Sequence, residues 1–491
     1  MGICNSTQST GEQKNIKSDN VVNPKNNNNE ENKNKNNNNK DPSQLKINPP
    51  KKKDEEKKEE ERKELKENEI NKETRENLER SKDLNQRIEG QDIVISFGDS
   101  FKILDNFFNI LSQEHDLESN NPKYNYDKFF IFDGEEKYIP RAIAVNIPRE
   151  DYDNNMNQSR ISNWYNQETL KIKIDTSNNH FKTINDKLFE SMGNKELISD
   201  YNEFNNDNFQ DYISDLFKIE AEKCDKVRTI HMLGNIFNGI SIGSLSSFLY
   251  SIQNDYRDSL KISHLTYLDK FQHRAFTKIK NYIFGISDLY DHCNMINFFN
   301  SPRPADVLSN LTIGERIERY VKDINLNKIM NTILINSKAN FVYSNGCVFK
   351  KKDDIDYYIN FLFEDCKEGK SHSHYYSQLS CFCIYKGNLL FNEEEKNKIF
   401  KKMAELVDFR LKKNTSYYDF YNIDYPFQYD FVSNIHQSEY FNNLTEEYLL
   451  AFLQNYNIDN FTQEEKERRD DTIYKVNNIL NEYKEIWRLI K

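Results

Sequence analysis

Long apolar runs are missing from this sequence of 491 residues: no stretch approaches the roughly 18 apolar residues that a membrane-crossing helix needs, and no secretory hydrophobic segment is present. Positive charge is not in excess, with 68 Lys and Arg against 79 Asp and Glu and a net charge of −11. Because no basic face is evident beyond the N-terminal tail, nucleic acid is not an expected partner. Cysteine is sparse. After Cys4, the residues Cys224, Cys293, Cys347, Cys366, Cys381 and Cys383 are spaced for no disulfide framework and suit a reducing compartment. No Ser/His/Asp or Cys/His set has the spacing of a catalytic triad. Apolar residues make up 36%, low for a chain long enough for two or three domains.

The first ninety residues account for that deficit. They contain "NPKNNNNEENKNKNNNNKD", which buries too little apolar surface to offset its ordering entropy, so residues 1–50 are expected to be a disordered Asn/Lys-rich tail. Residues 51–90 are rich in helix formers with opposite charges three or four apart, the pattern of a charged helical spacer. Leu65, Ile70, Leu78, Leu84 and Ile88 are too irregular for a coiled-coil seam. The opening "MGICNS" fits M-G-x-x-x-[ST], with Gly2 as a myristoylation site and Cys4 beside it for palmitoylation. One acyl chain holds a protein to lipid marginally and two hold it stably. Lys14, Lys17 and Lys25 add weak attraction to anionic lipid.

From residue 91 strands alternate with amphipathic helices. "DIVISF" (92–97) reads as a strand, and the following helix places Phe101, Leu104, Phe107, Phe108 and Leu111 on one face. "RAIAVNI" (141–147) is a second strand; "DNFQDYISDLFKIEAEKCD" is a helix; "KVRTIHML" is a strand running to a turn at Gly234, after which a helix spans 241–255. This alternation predicts a parallel, doubly wound α/β sheet whose ligands sit at the strand C-termini, where Gly98, Asn146 and Gly234 fall. Later come the helix "ADVLSNLTIGERIERYV", the strands "NFVYSN" and "LSCFCIYKGN", and a last helix opened by Thr462 and Glu465 as a capping box. His372, His374, Cys381 and Cys383 allow a zinc reading. Small buried thiols are the blander reading of these cysteines, and no metal site is expected.

Several segments, in order, resemble the tubulin family over 91–491. "YIPRAIAVN" (138–146) is similar to its Y-[VI]-P-R-A-[IV] strand entry, and "FFNILSQEHDL" to its first helix; "KCDKVRTIHMLGN" falls where tubulins carry Cys-Asp, a strand and GGGTGSG. "CIYKGNLLFNEEE" resembles the I-F-R-G-R strand of the second domain, and "NFTQEEKERRDDTIYKVNNILNEYKEI" the last helix. The short loop before "YIPRA" is beta- or gamma-like rather than alpha-like. The resemblance implies a tubulin-like GTPase-fold domain over 91–300, a core helix and intermediate α/β domain over 301–430, and C-terminal helices over 431–491.

It also implies where a nucleotide would sit, and how far that site has decayed. Gly98, Asn146, Gly234, Asn235, Asn238, Gly239, Asn294 and Asp306 stand at vestigial nucleotide-binding positions, with Asn294 matching the base-recognising Asn of I-D-N and Asp306 lying in the core helix. Against them, Ile236 and Phe237 occupy the glycine stretch, where their side chains are expected to block backbone approach to phosphate. Asp99 would repel phosphate, and Asn146 and Pro148 replace acidic residues of a Mg²⁺ site. Asp323 and Asn325 stand for the family's catalytic loop, and Lys328 falls where alpha-tubulins carry the catalytic acid.

The expectation is therefore a cytoskeletal structural or adaptor protein with GTP hydrolysis lost, lying in the cytoplasm at the cytoplasmic face of a membrane. Its partners would be tubulin or microtubules and membrane lipid. No cofactor is expected, with GTP or GDP and Mg²⁺ as ligands only if the pocket is kept. The alternatives are a GTP-binding tubulin that polymerises and a membrane scaffold independent of microtubules. The acylation motif makes a separate prediction. Gly2→Ala releases the protein from membranes on fractionation, whereas Cys4→Ser weakens attachment without abolishing it; a Gly2→Ala protein that pellets with membranes like the wild type disproves the anchor.

Overall fold

The computed structural model describes residues 90–118, 125–134, 137–147, 149–172, 207–266, 276–317, 326–334, 339–349, 378–387, 415–421, 430–455 and 463–490, with isolated positions between 362 and 401. The tail, the spacer, Gly2, Cys4, Pro148, Asp323, Asn325, His372 and His374 lie outside the described residues. The first half runs β1 (Gln91–Phe97), α1 (Phe101–Glu114), β2 (Phe130–Phe132), β3 (Tyr138–Pro140), β4 (Ala142–Ile147), α2 (Arg149–Met156), β5 (Leu170–Ile172), α3 (Asp207–Ala221), β6 (Val227–Asn235), α4 (Gly239–Ile252), β7 (Leu260–Thr266), α5 (Phe276–Tyr290) and β8 (Met295–Phe299). The second half runs α6 (Pro304–Arg316), α7 (Leu326–Ile333), β9 (Phe341–Phe349), β10 (Gln378–Gly387), β11 (Thr415–Tyr421), β12 (Asp430–Ser438), α8 (Tyr440–Asn455) and α9 (Gln463–Ile490).

Ten strands form one sheet in the order β11-β10-β12-β9-β8-β7-β6-β1-β4-β5. All neighbours are parallel except those of β12, which runs antiparallel to both β9 and β10. The expected α/β architecture is present, and the sheet is continuous through the β8–β9 pair, which sets Ile296 opposite Phe341. The expected boundary near 300 thus falls inside a single sheet. The C-terminal segment expected from 431 as helices opens instead with β12, and the helical layer begins at Tyr440.

Alternation along the strands divides the apolar residues between two faces. Ile93, Ile95 and Phe97, with Ile230, Met232, Ile296, Phe298, Cys381 and Cys383, face a layer built by α3, α4, α5, α8 and α9. Val94, Leu233, Met295, Phe299, Phe382 and Ile384 face the opposite layer of α1, α6 and α7. Because both faces are covered, the central strands are buried throughout, the usual state of a parallel sheet. Along α1 the residues expected on one face, Phe101 to Leu111, are all fully buried. In α9, Val476, Leu480, Tyr483 and Trp487 are buried as their spacing implies, joined by Ile479 and Ile486.

Helix α6 is buried on every side from Ala305 to Arg316, polar residues included. Pro304 opens it, in a position where its missing N–H costs no hydrogen bond. Its polar side chains are held by partners on several elements. Arg316 Nη1 is 2.8 Å from Glu114 Oε2 in α1, whose other oxygen is 2.6 Å from Lys386 Nζ in β10. The preceding Glu315 lies 2.5 Å from Arg228 of β6, which also binds Asp92 of β1. Asn310 donates to the Ile384 carbonyl and to Ser433. Burial alone would raise the Glu114 carboxyl, but Lys386 and Arg316 outweigh it and hold it below the usual carboxylate range. Burial and the neighbouring Asp92 push Glu315 up to about 7 against the pull of Arg228.

One buried carboxylate lacks such support. Asp288 of α5 has its nearest cation, Arg468 of α9, at 3.9 Å, and burial lifts its pKa to about 6 despite Arg468 and Lys475. A carboxyl with a raised folded pKa binds its proton more tightly in the native state, so stability is lost as pH rises from about 4 to about 6. The loss is at most about 3 kcal/mol. Asp288→Asn is expected to raise the urea midpoint at pH 7.5 and to match the wild type near pH 4; a constant difference at both pH values contradicts this account.

Candidate functional site

Four parallel strand ends, β1, β6, β7 and β8, meet at one edge of the sheet, and two of the turns leaving that edge carry the sequence-singled residues. After β1, Gly98 takes φ +62, a left-handed conformation that favours glycine, although a Cβ there would meet Ser241 only in ordinary contact at 3.4 Å. The turn Gly98–Ser100 leads directly into α1. After β6, the chain turns at Ile236 and Phe237 and enters α4 at Gly239. The strand therefore runs two residues further than its apolar pattern shows, and the helix begins two residues earlier. Gly234 lies within β6, pressed between Leu245, Leu265 and Ser241, and is not a turn residue.

Asn238 is the reason that the helix starts where it does. Its side-chain oxygen accepts from the amides of Ile240 at 3.0 Å and Ser241 at 3.2 Å, a side-chain N-cap that satisfies two of the helix's first donors. Asn235 performs a similar task for the turn, accepting from the Phe237 amide at 3.1 Å through Oδ1. The Asn235 amide donates 2.8 Å to Ser241 Oγ, which itself donates 2.9 Å to the Phe97 carbonyl at the end of β1. Across the gap, Asn235 Nδ2 donates 2.9 Å to the Asp99 carboxylate. The two turns are thereby joined to one another by side chains of the chain itself.

Ile236 and Phe237 do not obstruct this edge in the way expected from the sequence. Both side chains turn into the core, where Ile236 is wholly buried against Gly285 of α5 and Phe237 stacks on Tyr282. The apolar residues are anchors that fix the turn, and the amides are withdrawn by Asn235 and Asn238.

Asn294 does not join the site. It stands before the first residue of β8, its Oδ1 accepting from the Lys261 amide near the start of β7, at the opposite edge of the sheet. A short motif match has no means of telling the start of a strand from its end. Asn300, directly after β8, lies at the edge where the turns are, and its backbone N–H donates to the Ser344 carbonyl. Asn146 lies in β4, one residue before its end. Asp306 sits in the first turn of α6, paired with Arg303 at 2.9 Å. Lys328 lies in α7.

Beside the closed turns is an open cleft of about 520 Å³ between α1 and the start of α6. Lys102, Asn106, Asn109 and Gln113 line it from α1, with Asp99, Thr266, Arg303 and Asp306 from the strand ends and the core helix. These α1 residues were legible in principle, since they repeat at helical spacing on the face opposite the buried Phe101–Leu111 stripe. The cleft carries two cations and two carboxylates, so it has no strong preference for an anion.

His231 lies in mid-strand in the core. Its Nδ1 is 3.1 Å from His264 Nε2, and Asn297 Nδ2 meets His264 Nδ1 at 3.3 Å. Asn297 as donor puts the His264 proton on Nε2 and the His231 proton on Nε2, facing Asp92 at 3.7 Å. Burial, reinforced by His231, holds His264 well below the usual histidine range, so His264 is a neutral link between His231 and Asn297. Cys381 and Cys383 are buried thiols whose sulfurs approach Asn434, and no metal-binding group of His, Cys, Asp or Glu is present among the described residues.

Residues 93–303 match the model of the Tubulin/FtsZ family GTPase domain. The match begins inside β1 and ends immediately before α6, so it covers both turns. No curated protein matches the chain. The chain therefore carries a domain of Tubulin/FtsZ type within an α/β, tubulin-like fold.

Proposed function

We propose that this chain is a divergent tubulin-family structural or adaptor protein of the cytoskeleton, tethered to the cytoplasmic face of a membrane through acylation at Gly2 and Cys4, and that it does not hydrolyse GTP. One observation carries the reading. In a phosphate-binding turn the amides at the helix N-terminus point at the anion, whereas here Asn238 accepts from those of Ile240 and Ser241. Asp99 adds a carboxylate between the turns, where a triphosphate would meet like charge. The match over 93–303 supports the kind of domain; the lost hydrolysis is read from these residues.

The partners in this reading are tubulin or microtubules and membrane lipid. The competing reading, a GTP-binding tubulin that polymerises, is favoured by the open cleft, whose volume falls in the range of small-ligand sites. The same edge would then keep a base and ribose while the phosphates found other donors. A membrane scaffold that never meets microtubules is separated from the adaptor by co-sedimentation.

Two outcomes follow. Protein purified under mild conditions is expected to release little or no guanine nucleotide into an acid extract; near-stoichiometric GTP or GDP overturns the proposal. In electron micrographs of the purified protein with GTP and Mg²⁺ over a concentration series, no filaments are expected, and protofilament sheets or tubes of this chain alone select the polymerising reading.

A further inference from the structure

A site can lose hydrolysis and still need a bound nucleotide to hold its loops, so the energetic state of the two turns is a separate question. Where a strand end and a helix N-terminus form an anion cradle, several amides stand without partners until the anion arrives. In this chain the amides of Asn235, Phe237, Ile240 and Ser241 all have partners supplied by Ser241 Oγ, Asn235 Oδ1 and Asn238 Oδ1. The remaining gap between the turns is bridged from Asn235 Nδ2 to the Asp99 carboxylate at 2.9 Å. Ser241 Oγ then ties the head of α4 to the end of β1 through the Phe97 carbonyl at 2.9 Å.

We infer that Asp99, Asn235 and Asn238 act as an internal ligand: the Asp99 carboxylate takes the place of a bound anion between the turns, and the fold needs no nucleotide to hold them. This rests on the proposed reading of the site and goes beyond it, from what the site fails to do to what replaces it. The chemistry is balanced within the chain. One carboxylate, two carboxamides and the Ser241 hydroxyl supply the acceptors that phosphate oxygens would supply, and Asn235 uses both ends of its amide group, one for each turn.

The test is thermal unfolding of the full-length protein after it has been stripped of nucleotide and metal by dialysis with a chelator and a phosphatase. Wild type, Asp99→Asn, Asp99→Ala and Asn238→Gly are compared with and without millimolar pyrophosphate or GTP with Mg²⁺. Wild type is expected to unfold at the same temperature before and after stripping, and with or without either anion. Asp99→Asn keeps an acceptor for Asn235 and unfolds close to wild type. Asp99→Ala unfolds a few degrees lower, and pyrophosphate restores part of the difference. Asn238→Gly is the milder lesion, since glycine is tolerated at an N-cap, and it too is expected to gain a rise with pyrophosphate that wild type lacks.

A fall in wild-type unfolding temperature on stripping overturns the inference, as does an Asp99→Ala protein that matches wild type and ignores pyrophosphate. If Asp99→Ala does not accumulate, an Asn238→Gly protein blind to pyrophosphate overturns it equally. The two readings fail separately: stoichiometric nucleotide whose removal leaves stability unchanged sinks the functional proposal alone, and nucleotide-free protein with indifferent variants sinks the internal ligand alone.

Discussion

Glu114 holds the two halves of this molecule together. Its carboxylate, at the end of α1, receives Arg316 from the last turn of α6 and Lys386 from β10, with Ser309 of α6 donating as well. A buried carboxylate with one partner would be a liability, because its desolvation exceeds what a single pair returns. With two cations and a hydroxyl it becomes a fixed point at which the first helix, the core helix and a strand of the second half share one geometry. The Asp92–Arg228–Glu315 cluster, one residue earlier along α6, fixes the same helix to β1 and β6. A fully buried helix carrying Ser309, Asn310, Thr312, Glu315 and Arg316 is tolerable only because nearly every polar group on it finds such a partner.

Fixing α6 has a consequence at the far edge of the sheet. The start of α6, with Arg303 and Asp306, forms one wall of the cleft, and α1, which ends at Glu114, forms the other. Ion pairs at the distant ends of both helices thus help to hold the walls of the cleft, while the direct pairing of β1 with β6 presents the turns after them at a separation that an asparagine and an aspartate can span. The glycine-poor turn is workable on this frame because its two large residues have core to enter, Ile236 against Gly285 and Phe237 against Tyr282. A turn that gives up glycine must place the side chains somewhere. Here the absence of a Cβ has moved to α5, where Gly285 admits Ile236 and Ile242.

The parts legible in the sequence were those governed by a single period. The stripe of α1 and the stripe of α9 follow from helical spacing, and the parallel sheet follows from strands that alternate with helices. Strand β12 was hidden because Ser433, Asn434, His436 and Gln437 look like loop residues; their partners, such as Asn310 for Ser433 and Leu362 for Asn434, come from distant segments. The misplacement of Asn294 has the same origin, since a three-residue likeness does not say which edge of a sheet it reaches. The direction taken by Ile236 and Phe237 depended on a void beside α5 that exists only once the helix is packed. The cleft-lining face of α1 was written in the sequence at the correct spacing, but a polar face opposite an apolar one is normally solvent, and only the position of α6 makes it a wall.

The two ends of the proposed function meet in one argument about control. A nucleotide switch works because the triphosphate and diphosphate states make different contacts with the loops, and a ligand with no differential contact shifts nothing. Turns whose amides are satisfied by Asn235 and Asn238 make the same contacts at all times, so on the internal-ligand proposal this body has no such variable left to read. Regulation of a protein built this way has to act on where it is, not on what shape it takes. On the proposed acylation, reversibility would lie at Cys4, since an S-acyl group can be removed whereas a myristoyl amide at Gly2 stays. With one chain left, binding to lipid is marginal, so on that proposal release from a membrane would require no change in the fold.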